Sequence, residues 1–171
     1  MFEISIMNNK LVTKRLVLKE LKKEDIGVIF KLRSNEDVNA YIQRDLYKTK
    51  EDALLYINKT ETLIKEGKAI VWVLNTRSDK VAIGTICLWN FSDDKTMAEV
   101  GYDLLPEFQA KGYMFEALKE VLVFGFNVLS LKTIEAFTHN KNISSIKLLE
   151  KASFKLLKGK RDIGFPNNII Y

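Results

Sequence analysis

The sequence is poor in the residues from which metal clusters, disulfides and histidine-based triads are built. Its 171 residues include one cysteine, Cys87, and one histidine, His139. A single cysteine excludes an internal disulfide and a cysteine metal cluster. A single histidine leaves little for a metal site or a Ser-His-Asp arrangement, so no metal is expected. No apolar run reaches the length of a membrane span. Residues 1–10 lack a basic start and a long apolar core, so a signal peptide is not expected and the cytoplasm is the default compartment. There is no repeat and no low-complexity linker. Neither G-x-x-x-x-G-K-[ST] nor G-x-G-x-x-G occurs, which excludes a P-loop and a dinucleotide fingerprint. The formal charge of +5 is carried by scattered lysines without a basic block. This argues against nucleic-acid binding and suits a small polyanionic ligand.

What is present describes a folded chain. Hydrophobic residues make up 47% and charged residues 29%, as in globular proteins. The length fits one domain with a substantial core, residues 1–171. Residues 11–19 read as a strand. Helical spacing of Ile26, Ile29, Phe30 and Arg33 follows, then a short helix capped near Asn35. Thr49, with Asp52 three residues on, predicts the N-terminus of a long helix ending at Gly67. Residues 69–75, 81–89 and 97–105 read as an antiparallel meander. A richly apolar helix covers 112–129. A strand at 132–138, a helix at 140–151 and short strands at 154–157 and 169–171 complete the order. The fold class is α/β (α+β), with a mixed, mostly antiparallel sheet of six to seven strands and helices packed on it.

The segment Gln109-Ala110-Lys111-Gly112-Tyr113-Met114 carries the clearest chemistry. It joins a strand stopped by Pro106 to the start of the apolar helix. The first amides of a helix have no partner within it, and the helix dipole places partial positive charge there. A phosphate or pyrophosphate can take up those amides directly. Gly112 permits close approach or a positive φ, and Lys111 adds a cation. Most strand–turn–helix junctions with one glycine bind nothing, so the loop alone is weakly specific.

Three segments together are more specific. Residues 98–126 resemble the acetyl-CoA-binding core of the GNAT superfamily of N-acetyltransferases, whose phosphate loop reads [Gln/Arg]-x-x-Gly-x-[Gly/Ala]. Gln109 and Gly112 match that pattern and Met114 departs from it. Residues 142–154, Asn-Ile-Ser-Ser-Ile-Lys-Leu-Leu-Glu-Lys-Ala-Ser-Phe, are similar to a segment of the ribosomal-protein N-terminal (Rim-type) branch, with Ser153 in place of a turn glycine. Residues 11–18 followed by Glu24-Asp25 are similar to that branch's opening. The chain stops at Tyr171 where relatives continue with a fuller last strand. The acceptor side is therefore expected to be more open, or completed by a second copy in a homodimer.

The resemblance implies transfer of acetyl from acetyl-CoA to a primary amine. The amine is that of a protein N-terminus or, alternatively, of a polyamine, amino sugar or antibiotic. A catalytically impaired acyl-CoA-binding protein is the reading from another class. By the resemblance, main-chain groups of Leu104 and Leu105 pair with the pantetheine arm. The amides from Ala110 to Met114 hold the pyrophosphate. Asn142 holds a pantetheine amide from the opposite side, or simply caps its helix. Glu99 is the candidate base, acting directly or through water, and Asp103 shares its strand face. The alternative for Glu99 is a salt-bridged strand carboxylate. Ser145 is the candidate partner of the leaving thiolate, because Leu149 stands where many relatives carry a tyrosine. Cys87 is expected in the core. Trp89, Phe91 and Tyr41 are expected at the acceptor cleft or in the core.

Overall fold

A computed structural model describes residues 10–171; the expectation about a signal peptide lies on residues outside them, Lys10 excepted. The chain opens with β1 (Leu11–Val12), β2 (Leu16–Glu20), α1 (Ile26–Ser34), the one-turn α2 (Glu36–Asn39) and α3 (Lys50–Lys65). A meander follows: β3 (Ala69–Thr76), β4 (Ala82–Trp89) and β5 (Met97–Leu104). Then come α4 (Tyr113–Asn127), β6 (Thr133–Glu135), β7 (Phe137–His139), α5 (Ile143–Lys151) and β8 (Asn168–Ile170). Strands β1 to β6 form one sheet in sequence order, while β7 and β8 form a separate pair. All ladders are antiparallel except β5–β6. This is the mixed, helix-flanked sheet that the residue pattern implies.

The sheet is covered on both faces, and β3 is buried along its whole length. One face packs Leu16, Trp72, Ile86 and Val100 against Leu118, Val121 and Phe124 of α4. Trp72 and Phe124 meet edge to face at 5.5 Å. The other face packs Val71 and Val73 against Ile29 and Leu32 of α1 and Ala53 and Ile57 of α3. Helix α3 begins in the expected capping box, with Thr49 accepting from the Asp52 amide and Asp52 from the Thr49 amide. A Cβ at Gly84 of β4 would lie 2.4 Å from the Asp103 carbonyl oxygen. Only glycine lets β4 approach β5 so closely.

Three expectations are corrected. Residues 11–19 are not one strand: Thr13 and Leu16 close a turn between β1 and β2. Residues 132–138 divide at Ala136, whose amide and carbonyl both bond to Tyr171, at 2.8 and 2.9 Å. The C-terminal residues thus capture the chain and pull it away from β5. Residues 154–157 form no strand; the Phe154 amide bonds back to the Leu149 carbonyl (3.0 Å) and the Leu157 amide to the Ile170 carbonyl (2.8 Å). Ser153 has φ +69°, the left-handed conformation that a glycine would adopt freely.

Candidate active site

The division at Ala136 creates the site. β5 and β6 run parallel in register only from Met97↔Thr133 to Glu99↔Glu135. Beyond that point β7 pairs with β8, and the edge of β5 from Val100 onward is left without a strand partner in the sheet. A cavity of about 270 Å³ opens there. Val100, Gly101 and Tyr102 of β5, His139, Asn142 and Ser145 line it, with Tyr41 and Phe165 at its rim. No lining residue is Asp, Glu, Lys or Arg. Tyr41 lies against the His139 ring, centroids 5.5 Å apart.

At the far end of this edge, the Leu105 amide donates to Ile83 O at 2.9 Å and its carbonyl accepts from Phe108 N–H. Antiparallel pairing alternates, so Leu104 turns its main-chain groups the other way, toward the open edge. The Leu104 carbonyl there accepts from Gln109 Nε2 at 2.9 Å, which anchors the loop to the strand. Leu105 is therefore bound into the sheet, whereas Leu104 faces the gap.

The loop is held in an unusual backbone path. Ala110 has φ +58° and Gly112, the residue before α4, has φ +79°. The Glu116 amide is the first to find a helical acceptor, at Gly112 O. The amides of the preceding first turn have no acceptor within the helix. Met114, in the first turn of α4, buries its side chain in the core, so its bulk is turned away from these amides. Lys111 Nζ donates to Glu107 O at 2.7 Å.

Arg15, from the β1–β2 turn, braces this loop. Its Nε donates to Glu116 at 2.7 Å, its Nη1 donates to Lys111 O at 2.9 Å, and its guanidinium stacks 4.4 Å from the Tyr113 ring centre. Burial works to raise the Glu116 pKa, but hydrogen bonds from Thr13 and Arg15 outweigh it and hold the carboxyl below its ordinary value. Sequence reading missed Arg15, since nothing local links residue 15 to residue 116.

Asn142 caps α5, its Oδ1 accepting from the Ser145 amide at 3.1 Å. The Ser145 hydroxyl shares a 2.8 Å hydrogen bond with the Tyr102 hydroxyl. Burial pushes the Tyr102 phenol up to about 12, against the opposing effect of Ser145. Tyr102 was also missed, although period-two alternation puts it on the face of Ala98, Val100 and Leu104. Leu149 is fully buried.

Glu99 does not line the cavity; it lies one residue before the strands part. Asn90 Nδ2 donates to it at 2.6 Å. It is half-buried, and burial raises its pKa, helped by the charges of Glu135 and Asp162. Asp103, on the same face, is paired with Arg44 at 3.1 Å. Cys87 sits on the adjacent strand opposite Gly101, and burial pushes its thiol up to about 12. Trp89 is half-exposed at the end of β4, while Phe91 packs against the core. Among the described residues no group of three or more His, Cys, Asp or Glu could hold a metal ion, and no helix is long and apolar enough to cross a membrane.

Similarities to known proteins accord with this geometry. The family model for the acetyltransferase (GNAT) domain matches residues 15–155. The uncharacterized N-acetyltransferase YoaA of Bacillus subtilis (strain 168) is 32% identical over 161 residues, covering 94% of this chain and 91% of its own. Among solved structures, the ribosomal L7/L12 alpha-N-protein acetyltransferase RimL, in complex with coenzyme A, superposes with a TM-score of 0.76 at 15% identity, covering 94% of this chain and 93% of that one. Spermidine N-acetyltransferase from Vibrio cholerae, in complex with CoA and spermine, gives 0.73 at 21% identity, covering 91% of both. At these identities the two structures speak to the fold alone.

Proposed function

The chain belongs to the GNAT acetyltransferase family and is an acetyl-CoA-dependent N-acetyltransferase, and from this we propose that its acceptor is a primary amine on an uncharged body, with a protein N-terminus the first choice. The observation that carries the reading is the cavity at the parted edge of β5, whose lining holds no Asp, Glu, Lys or Arg. A polyamine needs carboxylates along its length, whereas an N-terminal peptide with a small neutral residue does not. The segment from Asn142 to Ser145 supports placement in the Rim-type branch. A compact amino sugar is the second reading, favoured by the Tyr41–His139 ring pair and the carboxamides of Gln43, Asn167 and Asn168 around the cavity. The whole chain is read as one acetyltransferase domain.

In this reading the amides of residues 110–114 take the pyrophosphate, and Leu104 pairs with the pantetheine arm like an added strand. The acceptor nitrogen attacks the thioester carbonyl; the C–N bond forms and the C–S bond breaks. The amine proton leaves to Glu99 through water, since Glu99 stands outside the cavity. The thiolate accepts a hydrogen bond from the Ser145 hydroxyl and takes its proton from solvent through a water that Ser145 orients, with Tyr102 behind Ser145.

Release of CoA thiol, followed with acetyl-CoA and three acceptors, tests the reading. An N-terminal Ser or Ala peptide is expected to turn over fastest, glucosamine more slowly and spermidine least. Preference for spermidine would overturn it.

A further inference from the structure

We propose that Lys160 is a positioning residue that decides which of two facing carboxylates, Glu99 or Glu135, receives the acceptor's proton. The inference rests on Glu99 being the base.

Glu99 and Glu135 form the last in-register pair of the parallel β5–β6 ladder, just where the strands part. In-register neighbours point to the same face from strands about 4.8 Å apart. Glu135 is buried, at 7% exposure. Lys160 Nζ lies 2.6 Å from each of its two oxygens. The lysine arrives from the irregular segment between α5 and β8, which also supplies Phe165 and Asn167 to the cavity. The other groups facing Glu99 are Asn90 and Cys87 from the β4 side and Asp162 from the segment that carries Lys160. Asp162 accepts from Asn168 Nδ2 at 2.7 Å, and Asp103 on β5 itself is engaged by Arg44.

On neighbouring strands, a second carboxylate disfavours ionisation of the first unless a counter-ion stands by. Both hydrogen bonds of Lys160 go to Glu135, so both oxygens of that carboxylate are engaged by the cation. Glu99 accepts a hydrogen bond only from the neutral Asn90 amide and feels the Lys160 charge through space alone, so it is left as the carboxylate open to the proton. Without the lysine the two would share one proton, and the titration would belong to the pair and not to Glu99.

The test follows the carboxyl ¹³C resonances of the glutamates against pH in the full chain. In the wild type, Glu99 is expected to titrate in one step. In Lys160→Met it should titrate in two steps separated by more than about one pH unit. Lys160→Arg and the double variant Lys160→Met/Glu135→Gln should return to one step. A single step at the wild-type midpoint in Lys160→Met would overturn the inference. Should that variant fail to fold, Glu135→Gln alone decides. It removes the like charge and leaves the cation, so the Glu99 midpoint must fall by at least about half a pH unit; an unmoved midpoint overturns the inference. The base reading is judged separately by Glu99→Gln: wild-type turnover in that variant removes Glu99 from catalysis without altering the titration result.

Discussion

Tyr102 and Ser145 join hydroxyls at 2.8 Å across the space between β5 and α5. The contact exists because β5 loses its parallel neighbour after Glu99, which lets a side chain from the strand edge meet the first turn of α5. A phenol raised to about 12 stays protonated at neutral pH. It can therefore fix the orientation of the serine hydroxyl.

Ser145→Ala should slow acetyl transfer by about 10²-fold, the lower end of what a positioned proton donor contributes, while CoA affinity changes little. Tyr102→Phe should give a smaller loss in the same direction, and the double variant should be no slower than Ser145→Ala. Single-turnover rates with CoA titration calorimetry check both. Additive losses would show that the hydroxyls act separately.

Gly112→Ala tests the anion loop through its backbone. A Cβ would meet only Arg15 Nη2, at 3.4 Å, so the effect is conformational and not a clash. At φ +79° an L-residue is strained by about 1–2 kcal/mol. The loop should relax toward negative φ and turn its amides away, weakening CoA binding about tenfold. Unchanged affinity by calorimetry would move the pyrophosphate elsewhere.

Asn142 can be separated into cap and ligand contact. Asn142→Ala should cost about 1 kcal/mol of stability through loss of the acceptor for the Ser145 amide. Asn142→Asp keeps that acceptor, so thermal unfolding should stay near wild type. If the Nδ2 group also donates to the pantetheine arm, both variants lose CoA affinity by a similar factor. Loss in the alanine variant alone would reduce Asn142 to a cap.

The Arg15–Glu116 brace predicts a pH dependence of stability. The Glu116 pKa is held below its unfolded value. Its contribution is thus present above the unfolded value and is lost as pH falls through the folded one. Denaturant midpoints of the wild type should drop through the acidic range more steeply than those of Glu116→Gln. Parallel curves would mean that the ion pair adds nothing to the fold.

Most local features were legible in the sequence, the Thr13–Leu16 turn excepted, and distant pairings were not. The Thr49–Asp52 box, the meander and the Pro106–Gly112 junction each lie within a few residues, so propensity and spacing sufficed. The break at Ala136 depends on Tyr171, and residues 132–138 by themselves read as one uninterrupted strand. The same holds for Arg15 with Glu116 and Lys160 with Glu135, where unremarkable lysines and arginines acquire roles only through chain crossing. Asn142 and Ser145 could be placed at the start of α5 from the sequence because a helix start is a local signal. Tyr102, two residues from the parting edge, was hidden because its partner helix could not be placed on β5 from pattern alone.

If Glu99 is the base proposed above, its effects on catalysis and on stability carry opposite signs. Its folded pKa is raised, chiefly by burial. Such a group favours the fold below its unfolded pKa, and that advantage is lost as pH rises through the folded pKa. The ionised form needed by a base is thus the form that the fold disfavours. Glu99→Gln mimics the protonated state and keeps an acceptor for Asn90, so at neutral pH it should be as stable as the wild type or more so. A carboxylate kept only for structure predicts the reverse. The same variant should transfer acetyl about 10²–10⁴-fold more slowly with CoA affinity nearly intact. An α-amine, about a tenth neutral at pH 7, should suffer less than a lysine-like amine, which is almost wholly protonated. Thermal melts beside rate–pH profiles with both acceptors decide the matter. Activity of the wild type should fall with acid through a pKa above the ordinary carboxylate range, and that limb should vanish in Glu99→Gln. If both proteins share one profile, the proton leaves by bound water, and positioning of the two substrates accounts for the rate.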